Sequence, residues 1–372
     1  SGLEVPGCAV GVCAYDESCL SVYSDLFDPI IEDLHGPFES RSYVCDMDSS
    51  QLCGFEDIDF SHVVSARIEG VRNVHGFPLV PSISRDQRRT LMILLKACFG
   101  SLKGQFAGQC HVLSGLSDEA VNRLMHKGVL FASPPAADSV VQGSGGARNW
   151  PEGRGVFVNA DEDFIVWVNE EDHLKVISQE QGGNISAAFE RWISGMNAVD
   201  RALSLSKLKF LESSELGFVS TCPSKLGTGM TMTLTVKLPT LGEKADKLHL
   251  QCSDLGLHCR RCRVAALLSG EDDGLWEISN RATLGKTEVE IVQLVVDGVG
   301  ELIAAEKAAA LASLSYPELT AEHTSLMAKH LTREVFDGMK KRASSSGGTV
   351  LDVICSGLEV PGCAVGVCAY DE

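Results

Sequence analysis

The stretch SGLEVPGCAVGVCAYDE occupies residues Ser1 to Glu17 and occurs again, unchanged, from Ser356 to Glu372. At roughly one chance in twenty per position, so long a run of identities does not arise by accident. Two origins remain, a segment duplicated in cloning or a parent protein that repeats. The copies begin 355 residues apart (356 minus 1). That is far too long for a solenoid unit and suits one complete globular module. A chain read this way is one repeat plus an overlap, entered partway through its module.

A module of this length buries a substantial core, with about two domains as the starting expectation. Its 44% apolar content is ordinary for a globular chain, and no uninterrupted apolar run is long enough to span a bilayer, so no membrane partner is expected. The formal charge of -18 argues against nucleic acid as a partner. The 14 cysteines are irregularly spaced in a chain too large to need a disulfide scaffold. Cys259 and Cys262 form a CRRC pair, but the second pair of a structural zinc site is missing and no metal is expected.

Periodicity divides the chain. From Pro317 to Arg342, PELTAEHTSLMAKHLTREVFDGMKKR reads as a helix, with Met327, Leu331, Val335 and Met339 every four residues. ASSSGG then breaks it, and TVLDVI starts another short helix. DLFDPIIEDLH, Asp25 to His35, belongs to the same kind of helical region. In the middle, RDQRRTLMILLKACFGSL is an amphipathic helix, and VFVNADEDFIVWVNEEDHLKVISQE reads as a strand, an acidic turn and a second strand. TMTLTVKLP and part of LHLQCSDLGLHCRRCRV are further β-rich segments, and TEVEIVQLVVDGVGELIAAEKAAAL closes this part as a long helix. Strands among long helices without a regular βαβ rhythm favour an α+β domain with an antiparallel sheet.

SDLFDPIIEDLHG, GARNWPEGRGVF, WVNEEDHLKVIS, CPSKLGTGM and EVEIVQLVVDGV together resemble the phosphagen kinases, the creatine and arginine kinases, over nearly the whole chain. The resemblance implies a guanidino kinase fold, a small all-helical domain plus a larger domain whose antiparallel sheet is flanked by helices. The implied chemistry is reversible phosphoryl transfer between MgATP and a guanidino compound. In the family, a segment like SYPELTAEHTSLMAKHLTREVF precedes the one like SDLFDPIIEDLH, whereas here it follows from Ser315 onward. The expected organisation is therefore residues 1–60 as the second part of one small domain, 61–314 as the large domain, and 315–372 as the first part of the next repeat's small domain. Tandem repetition is favoured over a cloning accident, which would hardly restore the family order across the junction.

Phosphoryl transfer asks mostly for positioning and for positive charge around the phosphates, which family members supply with an arginine cluster. Carried over one at a time, the resemblance puts the first of these at Arg67 in SARIEG, and the second at Glu69, a reversed charge. The arginine expected after NEEDHL is Lys175, which keeps the charge and loses the bidentate fork. The one expected after CPSKLGTGM is Thr231, and Arg260 and Arg263 are candidates for the last basic position. Family histidines near the adenine correspond to Val158 and Thr235. Glu171 matches the carboxylate that orients or deprotonates the guanidinium, Cys222 matches the reactive cysteine, and a second carboxylate position falls on Leu268. Ser1, Gly2 and Leu3 open a guanidino-substrate loop that resembles the short version of arginine kinases.

The residues alone also fit plainer roles. Glu170, Glu171, Asp172 and His173 suit a solvated or hydrogen-bonded strand end, and Cys222 an inert buried thiol. QGSGGAR lacks the lysine and hydroxyl of a P-loop and reads as a flexible connection; ADEDF reads as an exposed acidic turn. With three cluster positions altered, the expectation is a catalytically degenerate module whose partners are neighbouring repeats in a rod or filament. The alternative is a working ATP:guanidino phosphotransferase in a contiguous multi-domain enzyme, with MgATP, and with arginine as the first substrate to try. Either suits the cytoplasm or a ciliary or cytoskeletal fibre.

Overall fold

The computed structural model describes residues 10–37, 43–53, 60–131, 134, 140–262, 274–342, 344 and 348–359. It comprises two compact units, Ser1–Lys237 with His249–Val299, and Leu238–Leu248 with Gly300–Glu372. The first unit is built on strands β1 (Val63–Arg72), β2 (Gly108–Val112), β3 (Gly155–Asn159), β4 (Phe164–Val168), β5 (Leu174–Gln181), β6 (Glu212–Ser213), β7 (Gly217–Phe218), β8 (Met230–Lys237), β9 (Leu257–Arg261) and β10 (Leu275–Asn280). Eight of them form one sheet in the order β2-β3-β4-β5-β1-β8-β10-β9, antiparallel throughout, while β6 and β7 form a separate hairpin. This is the α+β architecture with an antiparallel sheet and flanking helices that the sequence implied.

β1 sits inside the sheet and sets its two faces. Its burial pattern alternates, with Ala66, Ile68 and Gly70 turned to one side and Arg67 and Glu69 to the other. The first side is covered by the helix Ile185–Leu205, whose Trp192 lies so close to Gly70 that a Cβ there would overlap its ring. Farther along the same helix, Gly195 makes the matching accommodation for Phe164 of β4. The helix Arg85–Phe99 starts on a capping box: Ser84 Oγ accepts from Gln87 N at 3.2 Å, and Gln87 Oε1 accepts from Ser84 N at 3.0 Å. The helix Ser24–His35 buries Phe27 and Ile31 with Leu79, Val219, Leu226 and Leu284.

The second unit holds a core of Met327, Leu331, Phe336, Val350 and Ile354, with Tyr316 edge-on to Phe336 at 5.7 Å. The single helix expected over 317–342 is instead two short ones, Leu326–His330 and Arg333–Met339. Thr332 breaks the run by acting as an N-cap, its hydroxyl accepting from Val335 N at 3.2 Å. Met327, Leu331 and Phe336 are still buried, while Leu326 and Val335 face outward.

Two further expectations need correction. The segment from Val156 to Glu180 holds three strands, not two, because Asn169 turns at φ 57° between β4 and β5. QGSGGAR is not a loose connection: the buried guanidinium of Arg154 donates to Gly146 O and to Arg148 O, and Arg88 donates to Arg148 O at 2.9 Å. Among the described residues, no helix is long and apolar enough to cross a membrane.

Candidate functional site

Because cross-strand partners share a face, the register of the sheet assembles most of the singled-out residues. Arg67 lies opposite Gln179 and Thr233, Glu69 opposite Ile177 and Thr231, and Lys175 opposite Val71 and Trp167. Thr235 faces Glu277 of β10, and Glu277 faces Arg260 of β9. Arg67, Glu69, Lys175, Thr231, Thr235 and Arg260 thus line one polar face, on the side of the sheet away from Trp192.

The cations of this face are held by the chain's own carboxylates. Arg67 Nε donates to Glu69 Oε1 at 2.7 Å and its NH1 donates to Gln179 Oε1 at 2.9 Å. Lys175 Nζ is 2.9 Å from Glu170 Oε2, 3.8 Å from Glu171 Oε2 and 4.9 Å from the Trp167 ring centre. Arg260 Nε reaches Glu277 Oε2 at 2.5 Å. Burial opposes ionisation of Glu69, but the fields of Arg67, Lys175 and Lys225 outweigh it and hold the carboxyl at about 2. Burial likewise works against the charge on Lys175, and Glu170, Glu171 and Glu69 together raise its pKa well above the ordinary lysine value.

Lys225 was not singled out from the sequence. Its ammonium donates to Thr231 Oγ1 at 2.6 Å, so positive charge returns to the place where Thr231 had left none. Glycines at 227 and 229, with φ of +80° and +60°, fold the CPSKLGTGM loop back on the strand it precedes. Burial lowers the lysine's pKa, and the nearby Glu69 works the other way.

The run from Glu170 to His173 splits in two. Glu170 and Glu171 face Lys175, whereas Asp172 and His173 are buried. Asp172 accepts from Asn73 Nδ2 at 2.7 Å and from Thr221 N at 2.8 Å, which ties the loop carrying Cys222 to the strand end. His173 accepts from Val74 N at 3.0 Å through Nδ1 and donates from Nε2 to Pro78 O at 3.0 Å; burial lowers its pKa to about 4. It is a neutral structural imidazole. The Cys222 thiol lies 3.0 Å from Ser224 Oγ, and burial, with Glu171 and Asp172 adding to it, raises its pKa. It is therefore held as a thiol at neutral pH, the poorer nucleophile of its two forms.

Toward β2 the face becomes apolar. Val158 joins Val156, Ile165 and Ile177 in a cluster with Phe131 and Leu130. The Thr235 hydroxyl accepts from Ser65 Oγ at 3.0 Å. Arg263, Leu268, Ser1, Gly2 and Leu3 lie outside the described residues.

Comparison with known proteins supplies the family. Residues 91–309 match the ATP:guanido phosphotransferase C-terminal catalytic domain, and residues 321–372 match the ATP:guanido phosphotransferase N-terminal domain, which here comes second. The chain is 35% identical over 384 residues to an arginine kinase of Anthopleura japonica, covering 100% of this chain and 52% of that protein. It is 37% identical over 317 residues to the B-type creatine kinase of Gallus gallus, covering 82% of this chain and 81% of that one. The substrate-free duplicated taurocyamine kinase of Schistosoma mansoni superposes with a TM-score of 0.74 at 26% identity, over 93% of this chain and 50% of that one. The chain thus spans about half the length of the anemone relative while matching most of the chicken enzyme. With both family domains matched and the antiparallel sheet shared, the chain belongs to the ATP:guanido phosphotransferase family.

Proposed function

We propose that the chain is one offset repeat of a tandem phosphagen-kinase-like protein, with a phosphate site that has lost most of its capacity for phosphoryl transfer. The carrying observation is the Arg67–Glu69 pair at 2.7 Å, with Glu69 ionised down to a pH of about 2. Family resemblance places a second arginine where Glu69 stands, so a cation meant for phosphate is instead spent on an internal carboxylate. An added carboxylate also repels the polyphosphate itself.

The residues present fit MgATP poorly. Lys175 is engaged by Glu170 and Glu171, Arg260 is engaged by Glu277, and Val158 and Thr235 replace rings beside the adenine. No catalytic step is derived through the nucleotide for that reason. Glu171 and Cys222 are the retained family residues, and Cys222 is held in its protonated form.

The offset rests on the identical ends and on the N-terminal family domain following the catalytic one. Residues 1–60 and 315–372 then belong to small domains shared with neighbouring repeats, and the repeats build a rod or filament in the cytoplasm or along a ciliary or cytoskeletal fibre. A second reading, a working arginine- or creatine-kinase-like enzyme, is favoured by one observation: Lys225 at 2.6 Å from the Thr231 hydroxyl restores a cation.

A coupled phosphotransfer assay with MgATP and arginine, creatine or taurocyamine separates the two. The degenerate reading expects turnover at least about a thousandfold below an ordinary family kinase. Turnover in the range of about 1 to 100 per second establishes the second reading instead. Electron microscopy of the native parent should show a regular repeat of domain size; modules tethered in random orientation contradict the filament.

A further inference from the structure

The opposite face of the sheet carries a feature that the phosphate site does not use. A cavity of about 460 Å³ opens between the Ile185–Leu205 helix and the β6–β7 hairpin, within the range that holds small molecules. Arg72 of β1 forms part of its wall with no exposed surface of its own. One guanidinium nitrogen donates to Val71 O at 2.7 Å and to Thr228 O at 2.8 Å, and the Phe218 ring centre lies 3.5 Å from the guanidinium carbon. Nε and the other terminal nitrogen have no hydrogen-bond partner. Burial lowers the pKa to about 10, which leaves the group charged at neutral pH. A buried guanidinium with N–H groups unmet is costly unless an acceptor reaches it.

The rest of the wall fits that acceptor's body. Met47, Met196, Phe210 and Phe218 are apolar and buried or half-buried. Charges of both signs, Lys209 with Asp200 and Glu212, stand exposed at the rim, where solvent screens them. The one cation shielded from solvent is at the wall, so it decides the sign of the ligand. The nearest buried carboxylate, Glu288, is already taken up by Tyr43 Oη at 2.6 Å and by Asp46 N at 3.1 Å.

We propose that this cavity binds a small carboxylate with a flat apolar body, its carboxylate oxygens accepting from Arg72 and its body lying between Met196 and the Phe210–Phe218 pair. Aromatic and thioether surfaces suit such a body, and a charge-assisted bond to guanidinium gives the anion its advantage. The site is independent of phosphoryl transfer and stands whether or not that activity survives.

Titration of the full chain with phenylacetate, followed by ligand-observed NMR or calorimetry, tests it, with phenylacetamide as the neutral isostere. Saturable binding of phenylacetate at least about tenfold tighter than the amide is expected, a difference of about 1.4 kcal/mol. Asn197→Trp, at an exposed position on the cavity's rim, should abolish binding of both probes without changing the circular dichroism. Arg72→Met should remove the preference for the carboxylate; if that variant does not fold, the probe pair and Asn197→Trp decide alone. Absence of saturable binding, equal affinity for acid and amide, or binding untouched by Asn197→Trp overturns the proposal.

Discussion

The two faces of β1 have been treated differently by this sequence. On the helix side, Ala66, Ile68 and Gly70 are packed without slack, and Gly70 leaves no room for even a methyl beneath Trp192. On the other side, Arg67 and Glu69 remain about a quarter exposed and satisfy one another. A strand's period of two lets one segment serve both masters independently, since a change at an odd position leaves the even positions untouched. Packing preserves the family fold at 37% identity to the chicken enzyme, while the charges that family kinases use have been rewritten on the same ten residues. The lesson is that retained fold and retained activity are separable here at single-residue spacing.

The largest effect expected from testing this contrast is on turnover. Replacing Glu69, Lys175 and Thr231 together by arginine should raise phosphotransfer to arginine by about a thousandfold if lost charge is the defect. The melting temperature should move little, because all three side chains lie on the polar face. A rate that stays flat would locate the defect elsewhere.

The packed face should respond in the opposite sense. Gly70→Ala forces a methyl into Trp192 and is expected to cost about 3 kcal/mol in denaturant unfolding, at the upper end for overpacking. A loss under about 0.5 kcal/mol would show that the helix Ile185–Leu205 yields easily.

Acid should weaken the buried side first. The folded pKa of His173, about 4, lies below the ordinary value of 6.5, so the unfolded chain binds the extra proton. Its contribution is complete above pH 6.5 and is lost as pH falls toward 4, about 3 kcal/mol in all. The Glu69 carboxyl acts lower, stabilising above its ordinary 4.5 and giving that up as pH falls toward 2. Urea midpoints measured across these two windows, with His173→Gln and Glu69→Gln flattening one window each, would separate the faces.

The smallest effect lies at a helix start away from both faces. Ser84→Ala removes half of the capping box and should cost about 1 kcal/mol with turnover and nucleotide affinity unchanged.

Much of this was readable beforehand. The alternation in Thr231 to Lys237 gave β8, and the apolar spacing of Arg85 to Phe99 gave its helix. The break at Thr332 was hidden because a four-residue apolar spacing carries through it unchanged, and only the cap chemistry of threonine marks the stop. At the site, Glu69 was legible as a reversed charge. Its ion pair with Arg67 follows from the two-residue spacing once the segment is known to be a strand. Lys225 was not legible, since its approach to Thr231 depends on two glycines in left-handed conformations. His173 sits in a polar run that reads as solvent-facing, and only the tertiary carbonyl at Pro78 and the amide at Val74 bury it.

The most direct test of the central claim is the affinity for MgATP of the native chain beside Glu69→Gln, measured by calorimetry. If Glu69 both occupies Arg67 and repels the phosphates, the native chain binds weakly and the glutamine variant at least about tenfold more tightly. Tight binding by the native chain, unaltered in Glu69→Gln, would contradict the account and leave a phosphate site that works as it stands.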